Sequence, residues 1–214
     1  MDNIIIAIAK GRIEKDVYRR LKILNMEDCI ETDSRKLIFT DEENKITYIH
    51  VKPSDVVTYV EEGVADIGIV GKDTILENES DNEVYELLDL KFGKCKFSVA
   101  GLKGKNTYLR EERLKVATKY PNIAKKYFKA KGQKIDIIKL NGSVELAPIV
   151  GLSDVIVDLV ETGNTLKANG LEILEDMCNI SSRIIANRVS YKFKKQKIEN
   201  IVEKFAFTLN MENY

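Results

Sequence analysis

The chain has 214 residues, with 34 Lys and Arg balanced by 34 Asp and Glu, so its formal net charge is zero. That length can bury a core in one large or two small domains, and the balance gives no electrostatic support for a nucleic-acid partner. Cys29, Cys95 and Cys178 have no Cys-x-x-Cys or Cys/His spacing, which argues against a disulfide framework and a structural zinc site; they read as buried, reduced thiols of a cytoplasmic protein.

The apolar run Ile4 to Ala9 predicts a strand buried on both faces; it is too short to span a membrane and has no cationic leader. Lys10-Gly11-Arg12 follows, placing two cations around a glycine at the strand's carboxyl end. Ile13, Val17, Leu21 and Leu24 then recur on one face of a helix. Lys36 to Thr40 and Ile46 to Val51, around the polar turn Asp41 to Asn44, predict a hairpin. Pro53 opens a helix with Val56, Tyr59 and Val60 on one face and Gly63 at its end. Ala65 to Gly71 is a second buried strand with a glycine exit, and Asp73 is placed to cap the helix after it.

Val84 to Leu90 and Lys96 to Leu102 predict two further strands. The polar run from Lys103 to Thr107 then loses the hydrophobic pattern and marks the expected domain crossing. Beyond it, Leu114 to Thr118 is a strand, and Pro121 opens a helix with Ala124, Tyr127 and Phe128 on one face, closed by Gly132. Ile135 to Leu140 is a strand, and Asn141-Gly142-Ser143 is expected to cap a short helix containing Glu145, closed by Gly151. Ile173 to Met177 and Ser181 to Asn187 are strand-like. A last helix carries the stripe Ile198, Ile201, Val202 and Phe205 among lysines 194, 195, 197 and 204, which read as a solvated face.

The stretch Val155 to Leu171 carries the strongest chemical signal. A β-branched strand runs past Asp158 into Thr162-Gly163-Asn164-Thr165 and a helix start. Unpaired N–H groups at such a junction suit an anion, Gly163 lets the backbone approach it, and the Thr162 and Thr165 hydroxyls add donors. Asp158, near the carboxyl end of the strand, accepts hydrogen bonds from hydroxyls, so phosphate beside hydroxyls points to a sugar phosphate. Asp154 precedes the strand, away from this turn, and reads as structural. With His50 the only histidine, chemistry rests on carboxylates, lysine and arginine, backbone and bound metal.

Two α/β lobes with ligand-type turns at strand ends imply a bilobal binding fold with an interlobe cleft. Lobe one is expected over 1–102 and 176–214, and lobe two over 103–175. The pattern by itself leaves an enzyme and a non-catalytic bilobal small-molecule-binding protein both open.

Ala9-Lys10-Gly11-Arg12, Ser34-Arg35-Lys36-Leu37, Gly63 to Gly71, Ala117 to Pro121, and Asn141 to Glu145 followed by Gly151, Asp154 and Asp158 to Leu166 occur in one order. Jointly they resemble the ATP phosphoribosyltransferase family, in its short catalytic form. The resemblance implies a periplasmic-binding-protein type II fold and the first step of histidine biosynthesis: ATP and 5-phosphoribosyl 1-diphosphate give phosphoribosyl-ATP and diphosphate, with Mg2+. It also implies a histidyl-tRNA-synthetase-like regulatory subunit in a hetero-octamer, in the cytoplasm, with no membrane or nucleic-acid partner. Where many relatives carry arginines after the position of Ile49, this chain has His50 and Lys52.

On that resemblance Glu161, Thr162, Gly163, Asn164 and Thr165 are expected at the 5-phosphate, and Asp158 at the ribose hydroxyls with Glu145 beside it. Lys10, Gly11, Arg12 and Gly71 are expected at diphosphate or ATP phosphates, and Arg35 and Tyr120 at ATP. The catalytic set is Asp158, Glu145 and Lys10, and no side chain is assigned as a metal ligand.

Overall fold

The computed structural model describes residues 3–26, 29–30, 35–78, 84–105 and 113–211. Ser34 of the arginine-bearing motif, and Asn106 and Thr107 of the expected crossing, lie outside them. The chain divides into two compact units, Met1–Gly93 with Ser181–Tyr214, and Lys94–Ile180.

In the first unit the strands are β1 (Ile4–Ala9), β2 (Ile38–Asp41), β3 (Ile46–Val51), β4 (Ile67–Gly71) and β5 (Val84–Asp89), joined late in the chain by β11 (Ser182–Asn187). Their order is β2-β3-β1-β4-β11-β5. The apolar β1 lies parallel to both β3 and β4, which is why it alternates so little: a strand flanked by parallel neighbours and covered on both faces has no side for water. Helices α1 (Glu14–Ile23), α2 (Val56–Glu61), α3 (Lys72–Asn78), α7 (Arg188–Phe193) and α8 (Lys195–Met211) complete the unit.

The α1 stripe is buried at Ile13, Val17 and Leu21, and the α8 stripe at Ile198, Ile201 and Phe205, all within one core. The apolar stripe of the last helix therefore packs on its own unit. On α2 the buried residues are Val56, Val57 and Val60, while the expected core residue Tyr59 is exposed. The lysines expected around the last helix are not uniformly a solvated face, and Lys194 stands just before α8. Lys194 Nζ lies 2.8 and 2.9 Å from the two oxygens of Asp66, a buried carboxylate that also accepts Ile5 N–H at 2.9 Å. Burial of a carboxylate requires such a partner.

The second unit contains β6 (Cys95–Leu102), β7 (Leu114–Thr118), β8 (Ile135–Lys139), β9 (Val155–Val160) and β10 (Leu171–Ile180), in the order β10-β6-β9-β7-β8. Helices α4 (Pro121–Ala130), α5 (Leu146–Ile149) and α6 (Asn164–Ala168) pack with it. Strand β6 is antiparallel to both β9 and β10. That pairing carries residues 94–102 and 176–180 into the second unit, where the sequence pattern had placed the breaks after 102 and 175. The chain passes from one unit to the other at Gly93, whose φ of +60° suits a tight turn.

The helix containing Glu145 was expected to be capped by Asn141 to Ser143, but α5 begins at Leu146 with Glu145 at its N-cap and no side-chain cap. Asp154 has the structural part expected of it: it exchanges two hydrogen bonds with Lys115, backbone to backbone at 2.9 Å and Lys115 N–H to its Oδ2 at 2.8 Å. The three thiols are free, with Cys95 buried, Cys29 half-buried and Cys178 exposed rather than buried.

Candidate active site

The turn after β9 takes its shape from Gly163, which is left-handed (φ 73°, ψ 6°) and directly precedes α6. A residue with a Cβ is strained in that conformation. Asn164 N–H leans toward the Thr162 hydroxyl at 3.4 Å. Around the turn lies a cavity of about 260 Å³ lined by Glu145, Asp158, Leu159, Val160, Glu161, Thr162, Gly163, Thr165 and Leu166. The fold thus gathers at one place six of the seven residues expected at a sugar phosphate and its hydroxyls; Asn164 does not line the cavity.

Asp158 is the electrostatic centre of this cavity. Burial, reinforced by the negative charge of Glu145, raises its carboxyl pKa to about 6, against a hydrogen bond from Leu159 N–H at 2.8 Å and the positive charge of Lys119. Lys119 was not among the expected site residues. It stands beside Tyr120 at the start of α4, a start fixed by Thr118: the buried hydroxyl donates to Val157 O at 2.6 Å and accepts from Tyr120 N–H at 2.9 Å. Tyr120 itself is buried, its ring edge-on to Phe97 with centroids 4.9 Å apart. That packing makes it part of the second unit's frame.

In the first unit Lys10, Gly11 and Arg12 follow β1, and Gly71 ends the parallel neighbour β4. Gly71 is buried, and a Cβ there would stand 2.1 Å from Asp73 Oδ1. Asp73 thus leans over the strand exit. Arg12 is exposed, and its Nη1 donates to Gly93 O at 2.8 Å. Arg35 is exposed in the irregular segment before β2. His50, the departure from the family pattern, is buried on β3 beside Tyr18 and Phe39.

Among the described residues no three His, Cys, Asp or Glu side chains are grouped to hold a metal ion. The carboxylates that share the cavity with the turn, Asp158 and Glu145, have the oxygen donors that suit a hard cation.

A two-unit mixed α/β fold of this kind, with one sheet in each unit, belongs to the periplasmic-binding-protein type II architecture. The fold likeness extends to the periplasmic aliphatic sulphonate binding protein SsuA from Escherichia coli, with TM-score 0.65 at 14% identity, covering 100% of this chain and 74% of that one. A family profile for ATP phosphoribosyltransferase (HisG) matches residues 52–206. An ATP phosphoribosyltransferase of Clostridioides difficile is 74% identical over 96% of this chain and 98% of its own, and one of Clostridium kluyveri is 55% identical over 96% and 93%. A chain of the "ATP phosphoribosyl transferase (HisG:HisZ) complex from Thermotoga maritima" superposes with TM-score 0.84 at 38% identity, covering 97% and 99%.

The chain belongs to the ATP phosphoribosyltransferase family. Its activity is the transfer of a 5-phosphoribosyl group to ATP in histidine biosynthesis, a reaction for which the family uses a divalent metal. No helix among the described residues is long and apolar enough to cross a membrane.

Proposed function

We propose that the second unit holds 5-phosphoribosyl 1-diphosphate, with the 5-phosphate on the backbone of Glu161 to Thr165 and the ribose hydroxyls on Asp158. The observation that carries this reading is the shared cavity of the Gly163 turn, Asp158 and Glu145. Backbone N–H groups around a left-handed glycine give a phosphate donors without a bulky side chain in the way. Asp158 orients the ring so that C1 faces its nucleophile, and as a charged carboxylate it also offsets positive charge developing on the ribose.

The nucleophile is adenine N1, which brings its own lone pair, so positioning replaces a strong general base. C1 bonds to N1 as the C1–O bond to diphosphate breaks, and the bonding pair leaves with diphosphate. Lys10, Gly11, Arg12 and Gly71 receive diphosphate or the ATP phosphates, with Arg35 and Tyr120 contributing at ATP; the packed ring of Tyr120 gives it a framing part. Glu145 would hold magnesium through the ion's waters, and the bound ion would supply charge neutralisation at the leaving group. On this reading the second unit takes the sugar phosphate, and the first takes the nucleotide and leaving-group charges.

The protein works in the cytoplasm with a histidyl-tRNA-synthetase-like regulatory subunit in a hetero-octamer. Support comes from the likeness to a chain of the HisG:HisZ complex. The test is to incubate the purified chain, with and without that subunit, with labelled phosphoribosyl diphosphate, magnesium and a panel of purine nucleotides. Diphosphate release with ATP alone is expected; equal release with another purine would overturn the assignment of the acceptor.

A further inference from the structure

The turn at Lys10–Arg12 is held in an unusual way. Gly11 has φ +98°, yet a Cβ built there would meet nothing within 4 Å. No side chain packs against that position, so hydrogen bonds must fix the turn's shape. Two of them come from Glu14: its N–H donates to Gly11 O at 3.2 Å, and its Oε2 accepts Gly11 N–H at 3.0 Å. The glutamate reaches back to the N–H three residues before it, as the acidic half of a capping box does.

The other carboxylate oxygen leads inward. Glu14 Oε1 accepts from the Tyr18 hydroxyl at 2.9 Å, and that hydroxyl lies 3.2 Å from the imidazole nitrogens of His50. Tyr18 has one proton and gives it to Glu14, so its oxygen accepts an N–H from a neutral His50. His50 is itself fixed on β3, where it stands opposite Ile8 of β1, its N–H donates to Leu37 O at 2.8 Å, and its ring meets Phe39 with centroids 5.0 Å apart. Burial holds the imidazole below its ordinary pKa and raises that of the Tyr18 phenol, which keeps both neutral at working pH.

That backbone contact by itself needs only the glutamate. Here a further donor chain, His50 to Tyr18 to Glu14, ties the carboxylate to the buried strand and fixes the rotamer that grips Gly11. We infer that Tyr18, Glu14 and His50 are positioning residues that preorganise the Lys10-Gly11-Arg12 turn for its phosphate-bearing ligand. The geometry stands by itself; the ligand rests on the function proposed above.

The experiment compares the whole protein with Tyr18→Phe, which keeps the ring and loses the hydroxyl. NMR solvent exchange of the Gly11 amide is followed, with calorimetric titration of inorganic diphosphate in magnesium and with thermal melts. Loss of one charge-assisted hydrogen bond should speed Gly11 exchange and weaken diphosphate binding, each by about tenfold, with the melting temperature little changed. His50→Gln retains an N–H donor and should restore slow Gly11 exchange that His50→Leu loses. Unchanged Gly11 exchange in Tyr18→Phe would overturn the inference. Faster exchange together with unweakened diphosphate binding would overturn the turn's part in holding that ligand, while the positioning chain would stand.

Discussion

Asp158 and Glu145 line the same cavity, and the charge of Glu145 adds to burial in lifting the Asp158 carboxyl to a pKa of about 6. An acid raised in this way contributes stability that is fully present below its unfolded pKa and is lost as pH rises through about 6. The site therefore holds a charge that weakens the empty protein at working pH, and a ligand that offers hydroxyl donors and nearby positive charge repays it.

Asp158→Asn tests this relationship from both sides. At pH 8 the variant should be more stable than the parent by about 1 to 3 kcal/mol, and the two should melt alike at pH 4. Turnover should drop by roughly ten- to a hundredfold through loss of charge-assisted bonds to the ribose. Melts across pH and steady-state kinetics decide it; a variant with unchanged kinetics removes Asp158 from the site.

Gly163→Val should obstruct backbone approach at the turn and strain its left-handed conformation, at a cost of about 1 to 2 kcal/mol. The nearest atom to a Cβ there is Val160 Cγ1 at 3.8 Å, so the strain is in the backbone and not in a collision. Phosphoribosyl diphosphate binding should weaken far more than ATP binding in paired titrations. Equal losses of both ligands with an intact fold would count against the assignment.

Gly71→Ala places a methyl where Asp73 Oδ1 now stands. The single variant should lose about 1 to 3 kcal/mol, and combining it with Asp73→Ala should recover part of that loss, because the two changes share one contact. Denaturant melts of the four proteins in the cycle measure the coupling, and strict additivity would show that Asp73 moves aside freely.

Lys194→Ala leaves the buried Asp66 with the Ile5 N–H but without its cation. Breaking a buried pair from one side costs about 3 kcal/mol, far more than removal of a solvated lysine. Lys192→Ala, at an exposed position of α7, provides the comparison. Similar melting temperatures for the two variants would return Lys194 to the solvated surface.

Histidine inhibition should appear only when the regulatory subunit is present. Allostery needs a second site whose affinity differs between two states, and the proposed partner subunit is the candidate to carry it. Activity is measured across histidine concentrations with the chain alone and with the mixture. Strong non-competitive inhibition of the chain alone would refute the division.

Sequence by itself determined the apolar strands Ile4 to Ala9 and Ile67 to Gly71, the hairpin around Asp41, and the strand–glycine–helix turn at Gly163. Each depends on local pattern: continuous apolar runs for strands covered on both faces, and glycine where φ is positive. The family motifs were legible for the same reason, since they lie in contiguous segments. Tertiary structure alone decided where the units divide, because β6 is assigned by its antiparallel partners β9 and β10, 54 residues further on where Gly101 pairs with Val155 and 85 where Cys95 pairs with Ile180, and no local pattern announces such partners. It alone also turned Lys194 inward onto Asp66, and joined Glu14, Tyr18 and His50 behind Gly11. Hydrogen bonds and ion pairs between residues distant in sequence depend on three-dimensional proximity, which composition and periodicity do not encode.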